Sequence, residues 1–387
     1  MKKSFLALTL VLFSFVKIFA FDFGGLLIND SIIKSNSEQD LKLDQKDTAE
    51  FWIRTPFSND GNSYFIAEFL YQFENDFNQD LQIHTIDSDL FKAVWLLHPT
   101  ENDFLRFSLG RFYTSDLTSC VYAQNADGLN IEYKTRLFEI TGYGAYTGLL
   151  NSHTTSIISA NAVSPFADFF TNDNDKVYCL QEKYLVTSLI FSLPRLFLNQ
   201  TLNFEYLGTF RLENEEFNRI YAEAQITGPL VKNIYYDAST VFAFVRCDGE
   251  DMDFANLSKL SATYFDKRGL YSIGLNGLYA SKKNDTTGDF VGFTSLTAYN
   301  SQLEPEYTGI LKAGLSATLR PVSNLVFLAN WNTIFDYDYK GFEYSITAKW
   351  QATSDLKLSA GLLQYFDHKN ADNLNNTKIN FNAVFAF

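Results

Sequence analysis

The chain has 387 residues, with 31 Lys and Arg against 45 Asp and Glu, a formal net charge of −14 and a pI of about 4.8. That balance excludes a nucleic-acid-binding face as the main function, because phosphate contacts need clustered Lys and Arg. A hydrophobic fraction of 46% excludes a disordered chain, and the want of any long apolar run beyond the first twenty residues excludes helical membrane spans.

The first element is an address. Residues 1–20 read MKKSFLALTLVLFSFVKIFA, with Lys2 and Lys3 before an apolar stretch from Phe5 to Val16 and a small residue, Ala20, at its end. This is the layout of a cleaved export leader; the apolar stretch is too short for a membrane anchor. The expected division is therefore a leader over 1–20 and one body over 21–387. Export bounds the three cysteines, Cys120, Cys179 and Cys247, which are too few and too far apart for a disulfide scaffold. A single Cys120–Cys179 bridge and three unbridged thiols both remain open.

After the leader one unit recurs: about ten residues with apolar side chains at every second position, then a turn. Period two places alternate side chains on opposite faces of a strand. A weak first strand over Phe21 to Ile33 is followed by Phe65, Ala67, Phe69, Tyr71 and Phe73, alternating with Glu68 and Gln72. Ile220, Ala222, Ala224 and Ile226 alternate with Tyr221, Glu223 and Gln225. Leu311, Ala313, Leu315, Ala317 and Leu319 oppose Lys312, Gly314, Ser316, Thr318 and Arg320. Phe342, Tyr344, Ile346, Ala348 and Trp350 oppose Glu343, Ser345, Thr347, Lys349 and Gln351. A stretch over Phe290 to Tyr299 could add one more strand.

A soluble β-sandwich also alternates. Three features favour a membrane barrel: long strands, isolated charges in mid-strand on the polar face, and aromatics near strand ends at Tyr236, Tyr264, Tyr271, Tyr279, Phe342 and Trp350. Aromatics make up 17% of the chain, with 38 Phe and 22 Tyr against 2 Met, as wet-edged apolar bands require.

The connections alternate as well. Short ones fall at Ser58 to Asn62, His98 to Asn102, Thr135, Asp266 to Gly269, Pro321 to Asn324 and Ala352 to Asp355. Longer ones fall at Lys34 to Thr48, Thr114 to Ala126, Thr147 to Val177, Cys247 to Asn256, Ser281 to Tyr307 and His368 to Asn375. Long loops on one side and short turns on the other are the habit of outer-membrane barrels. The expected fold is all-β: a single closed antiparallel transmembrane barrel of about 18 strands, with 16 as the alternative and both termini at the short-turn side.

The chain ends KINFNAVFAF, with Ile379, Phe381, Ala383, Phe385 and Phe387 on one face. This ending resembles the C-terminal insertion signal of bacterial outer-membrane barrels, and Ile379, Phe381, Phe385 and Phe387 are its matching positions. The resemblance implies recognition by the barrel-assembly machinery through strand addition to an edge. Leu109-Gly110-Arg111-Phe112, a loop and Ala126-Asp127-Gly128-Leu129 resemble a strand–loop–strand pattern of porin-like proteins. The order and length of the units resemble spirochaetal outer-membrane barrels, over nearly the whole body.

A barrel of this size encloses a channel unless something fills it, and the short span before the first strands leaves no room for a large N-terminal plug. The expectation is a passive pore for small hydrophilic solutes, with outer-membrane lipid around it. Monomer and oligomer both fit, and no cofactor, metal or enzymatic activity is expected. Strand parity nominates Glu68, Arg106, Arg111, Glu132, Glu139, Glu205, Glu223, Asp237, Lys312, Arg320, Glu343, Lys349 and Lys378 as lumen residues. Their acidic excess suggests a weak cation preference. Arg111 is favoured because a bulge at Gly110 would re-aim it. Thr147 to Val177, with Ile157, Ile158, Val163, Phe166, Phe169 and Phe170, and Ser281 to Tyr307 are the candidates for an inward-folded loop.

Other readings carry less. His84, His98, His153 and His368 have no ligand-spaced partners, and no HExxH or GxSxG occurs. Asp248, Glu250, Asp251 and Asp253 lack a calcium-loop frame, and Asp173-Asn174-Asp175 is weaker. The alternative function is a surface-exposed structural or adhesion barrel without an open channel; a third is a soluble exported β-protein that binds polysaccharide.

Overall fold

A computed structural model describes residues 21–35, 41–77, 81–157, 177–212, 218–245, 253–282, 288–294, 309–336, 338–368 and 376–387. The leader, Cys247, Asp248, Glu250, Asp251, Asp173 to Asp175 and the apolar tract from Ile158 to Phe170 lie outside these residues.

Eighteen strands form one antiparallel sheet in chain order: β1 (Asp22–Ser35), β2 (Leu41–Pro56), β3 (Tyr64–Asp76), β4 (Leu81–Thr100), β5 (Asp103–Ser115), β6 (Ala123–Lys134), β7 (Glu139–Tyr146), β8 (Tyr184–Leu193), β9 (Thr201–Arg211), β10 (Arg219–Val231), β11 (Ile234–Val245), β12 (Asp253–Phe265), β13 (Tyr271–Ala280), β14 (Leu311–Val322), β15 (Leu325–Asp336), β16 (Asp338–Gln351), β17 (Leu356–Asp367) and β18 (Asn376–Ala386). Each strand pairs with its sequence neighbours, and β1 pairs with β18 from Leu26↔Ala386 to Ser35↔Thr377, which closes the barrel. Closure removes the unpaired edges that an open sheet would expose.

Alternation sorts the side chains as the sequence predicts. Phe69, Phe91, Leu189, Phe204, Leu275, Leu315, Ile346 and Phe381 are exposed on the outer face, while Gln72, Glu205, Glu223, Lys312 and Glu343 are buried on the inner one. The aromatic ends hold too: Tyr271 opens β13, and Tyr264, Tyr279 and Trp350 lie one residue from the ends of β12, β13 and β16. Phe342 instead lies well inside β16, stacked on Trp331 with centroids 4.7 Å apart.

Several boundaries differ from the sequence reading. Of Lys34 to Thr48, expected as a long loop, Lys34 and Ser35 belong to β1 and Leu41 to Thr48 belong to β2, which leaves 36–40 between the strands. In this ribbon polar and apolar residues are mixed on each face, Leu41 and Leu43 with Gln45 and Asp47 and Ile32 with Lys34 and Asp44, so period two leaves no clean hydrophobic trace. Asn29 donates to Asp47 at 2.6 Å and Gln45 to Asp47 at 2.9 Å on one side, and Lys34 pairs with Asp44 at 2.7 Å on the other. Asp253 to Asn256 lies in β12 rather than in a loop, and β4 continues to Thr100, past the expected turn start at His98. Phe290 to Thr294 is not a barrel strand but an inward segment, so the count stays at 18 with β1 retained.

The C-terminus seals the short-turn end. Gly25 donates to the Phe387 carbonyl at 3.0 Å, and Phe387 donates back to Gly25 at 3.1 Å. A Cβ on Gly25 would run into the Phe387 ring and approach the Glu50 carbonyl to 2.7 Å. Gly25→Leu should therefore lower the folded fraction sharply, read as loss of the heat-modifiable band on gels. Ordinary folded yield would show that the β1–β18 seam tolerates a side chain there.

Candidate pore and its constriction

The inner wall is not uniformly wet. Along β5 to β13, Phe112, Tyr143, Tyr184, Val186, Leu207, Tyr221, Val241, Leu257 and Leu278 point inward and form one buried apolar cluster. What covers them is chain from the long-loop end. Two segments fold into the barrel: Asp116 to Tyr122, between β5 and β6, and Gly288 to Thr294, between β13 and β14.

Asp116 builds the first segment. Its Oδ1 accepts the amides of Val121 at 3.0 Å and Tyr122 at 2.6 Å. Its Oδ2 accepts the Thr118 amide at 2.8 Å, the Thr118 hydroxyl at 2.5 Å and the Cys120 amide at 3.3 Å. One carboxylate thus replaces the water that a buried turn would otherwise need. The segment docks on the wall through Leu117, whose amide donates to Glu205 Oε2 at 2.7 Å, and through Lys259, whose Nζ donates to the Thr118 carbonyl at 2.9 Å.

The second segment docks beside it. Arg219 Nη1 donates to the Gly292 carbonyl at 2.9 Å and the Tyr221 hydroxyl to that of Val291 at 3.0 Å. The two segments also bind each other. Phe293 and Thr294 donate their amides to the Val121 carbonyl at 2.8 and 2.9 Å, and Ala123 donates to the Thr294 hydroxyl at 3.0 Å. Tyr122 stacks on Phe293 with centroids 5.9 Å apart, and Tyr184 meets Phe293 edge-on at 4.9 Å. Ile157, from the β7–β8 connection, bridges to Thr294, so three connections meet here. The sequence reading named the β7–β8 and β13–β14 connections as inward candidates; it missed Asp116 to Tyr122 as one.

The nominated residues fall into distinct settings. Glu205 and Glu223 lie opposite each other on β9 and β10, beneath the first segment. Glu223 is 3% exposed; neither of its oxygens meets a donor among the described residues, and it faces Asp116 and Glu205. Asp237 ends a ladder in which Asn203 donates to Gln225 at 2.9 Å and Gln225 to Asp237 at 2.7 Å. Lys312 pairs with Glu343 at 2.9 Å, both almost fully buried. Arg106 pairs with Glu132 at 2.8 Å, and Glu139 with Lys134 at 2.9 Å, near the short-turn end. Glu68 faces inward on β3, opposite Trp52 and Leu90. Lys378 stands level with Lys34. Lys349 and Arg320 are exposed near the short-turn ends of β16 and β14. Lys259 and Arg219, which hold the inward segments, were not among the nominated residues.

Arg111 occupies a seam in the wall. The β4–β5 ladder ends at Phe91↔Arg111, and β4 continues with the β7–β8 connection on that edge, Ile86 donating to the Val177 carbonyl at 3.0 Å. The guanidinium fills the junction. It binds Asp87 at 2.8 Å, Asp127 through two bonds of 3.0 and 2.9 Å, and the carbonyls of Ser88 and Leu149 at 3.0 and 2.7 Å. The hydroxyl of Thr154 joins Asp87 as well. No bulge occurs at Gly110, where pairing with both neighbours is continuous. Gly110 is needed for another reason: its φ is 121°, and a Cβ would strike the Phe91 carbonyl. The bulge lies in β4, where Ser88 and Asp89 oppose Phe69.

No protein-family model and no curated protein matches the chain. Solved structures do. OccAB4 of Acinetobacter baumannii matches with a TM-score of 0.61 at 9% identity, covering 95% of this chain and 98% of that one. OccK9 (OpdG) of Pseudomonas aeruginosa matches with 0.60 at 10% identity over the same shares. The outer membrane protein OpdK of P. aeruginosa matches with 0.59 at 9% identity, again over 95% and 98%. The chain shares the fold of these barrels. OpdK has also been solved with vanillate.

Two outcomes follow. Arg111→Met leaves Asp87 and Asp127 without their cation, and breaking a buried pair in this way costs about 3–5 kcal/mol; the urea midpoint of the folded barrel should fall accordingly, and an unchanged midpoint would refute the seam's role. Cys120 and Cys179 are not bridged, and burial pushes the Cys120 thiol, on the inward segment, up to about 12. Maleimide at neutral pH should label Cys120 only after denaturation.

Proposed function

We propose that the chain is an outer-membrane pore for passive diffusion of small hydrophilic solutes. The observation that carries this reading is the inner surface: two inward segments cover one arc, and inward charges such as Lys34, Asp44, Lys46 and Glu74 line the wall outside it. A strip of cross-strand ion pairs in a barrel of this size is the lining of a hydrated passage, not of a packed core. Solutes move down their gradient, and bore and lining charge select among them.

On this reading residues 1–20 direct export and are removed. The short turns and both termini face the periplasm. Phe387, with Ile379, Phe381 and Phe385 on the outer face of β18, presents the chain to the assembly machinery. One of the barrels that share the fold, the outer membrane protein OpdK, is solved with vanillate, which supports a small-solute cargo; this reading assigns the chain no catalytic role. Kinship with spirochaetal barrels is part of this proposal on the sequence alone, from the order and length of its units.

The second reading, a surface-exposed barrel without an open channel, draws on the buried cluster around Tyr122 and Phe293. Planar bilayers separate the two. Purified folded protein should give discrete, stable conductance steps that grow with salt concentration. Silence at high protein load, with heat-modifiable migration intact, would favour the closed structural barrel.

A further inference from the structure

We infer that the two inward segments form a single interlocked body, and that Arg219 and Lys259 are the positioning residues that fix how far it stands into the bore. The inference rests on the pore reading and adds to it which side chains set the passage. Each segment has its own cationic anchor on the wall: Lys259 of β12 on the Thr118 carbonyl, Arg219 of β10 on the Gly292 carbonyl. Both anchors end on backbone carbonyls, so each supplies a donor to a peptide group taken out of water, where an unmet acceptor is costly.

The segments cannot move separately without breaking the contacts between them. The Val121 carbonyl accepts from both Phe293 and Thr294, the Thr294 hydroxyl accepts from the Ala123 amide, and Tyr122 lies on Phe293. Gly292 is so close that a Cβ would come within 2.7 Å of the Cys120 carbonyl. Beneath the first segment, Glu205 and Glu223 stand opposite each other on β9 and β10, and Glu205 accepts the Leu117 amide at 2.7 Å. Lys259 is the cation of the wall that holds the same segment.

The test uses single-channel conductance and the size limit for neutral solutes in planar bilayers. Arg219→Met and Lys259→Met keep much of the side-chain stem but remove the donor. Each should raise conductance by roughly twofold, since a wider bore carries more ions, and admit larger solutes. Arg219→Lys, which keeps a donor, should stay near the wild-type level. The double variant should rise no further than the larger single one, because both changes release the same body; independent segments would give roughly the product, about fourfold. Heat-modifiable migration shows that each barrel is folded. Should Arg219→Met fail to fold, Thr294→Val removes an interlocking hydroxyl from the other side and should give the same rise. Additive effects, or no change in either single variant, overturn the inference and leave the pore reading standing. Silence from wild type and variants alike overturns both.

Discussion

Hydrocarbon offers no hydrogen bonds, so a backbone that crosses it must satisfy every amide and carbonyl within the protein. For a chain of strands that demand is met only by closure, and here closure depends on β1 pairing β18 over ten residues. The constraint reaches into the sequence at both ends. Gly25 is small where the Phe387 ring lies against it, and Asn29, Asp47, Gln45, Lys34 and Asp44 tie β1 to β2 by polar contacts towards the long-loop end.

Closure creates a second difficulty. Eighteen strands enclose more space than wall side chains can fill. The protein resolves it unevenly, bringing two connections inside against one arc of the wall. Backbone carried into that interior loses its water, and the replacements are specific: Asp116 accepts from the amides of Thr118, Cys120, Val121 and Tyr122, and Arg219, Lys259 and Tyr221 donate to the carbonyls. The aromatic side chains then exclude water from what remains. Wall residues beneath the segments are accordingly apolar, which reverses the barrel's usual division of greasy outside and polar inside for Val186, Leu207, Val241 and Leu257.

That reversal marks where the sequence is legible. In β14 and β16 the outer face is apolar and the inner face polar, so alternation alone assigns both, and the short turns follow. In β12, Leu257 and Leu260 stand on opposite faces, one against the inward segments and one outside. Parity there gives no clean signal, and Lys259 between them is hidden. Arg219 is hidden because it opens its strand. Asp116 escapes notice for a different reason: a turn of Asp, Leu, Thr and Ser has the composition of a solvated loop, and only long-range contacts to Glu205 and Lys259 reveal that it is buried. The Gly110-Arg111 pair was visible as a motif; its work is to fill a seam, which requires knowing that β4 and β5 part there.

The net charge of −14 is a poor guide to the field inside. Arg106 with Glu132, Lys134 with Glu139, Lys34 with Asp44 and Lys46 with Glu74 are cross-strand pairs whose side chains retain contact with solvent. Such pairs contribute only about 0–1 kcal/mol to stability, so the fold does not depend on them. Their consequence is electrostatic: opposite charges held side by side on neighbouring strands cancel at a distance but leave a local transverse field that orients water, and in the proposed pore it would favour solutes that can match it. Lys312 and Glu343 differ in kind. They are buried together, with Asn332 donating to Glu343 at 3.0 Å, and removing one would strand the other's charge in the wall. The solvent-accessible pairs can thus change identity without loss of the fold, and would tune the passage on the pore reading, while the buried pair is tied to the integrity of the wall itself.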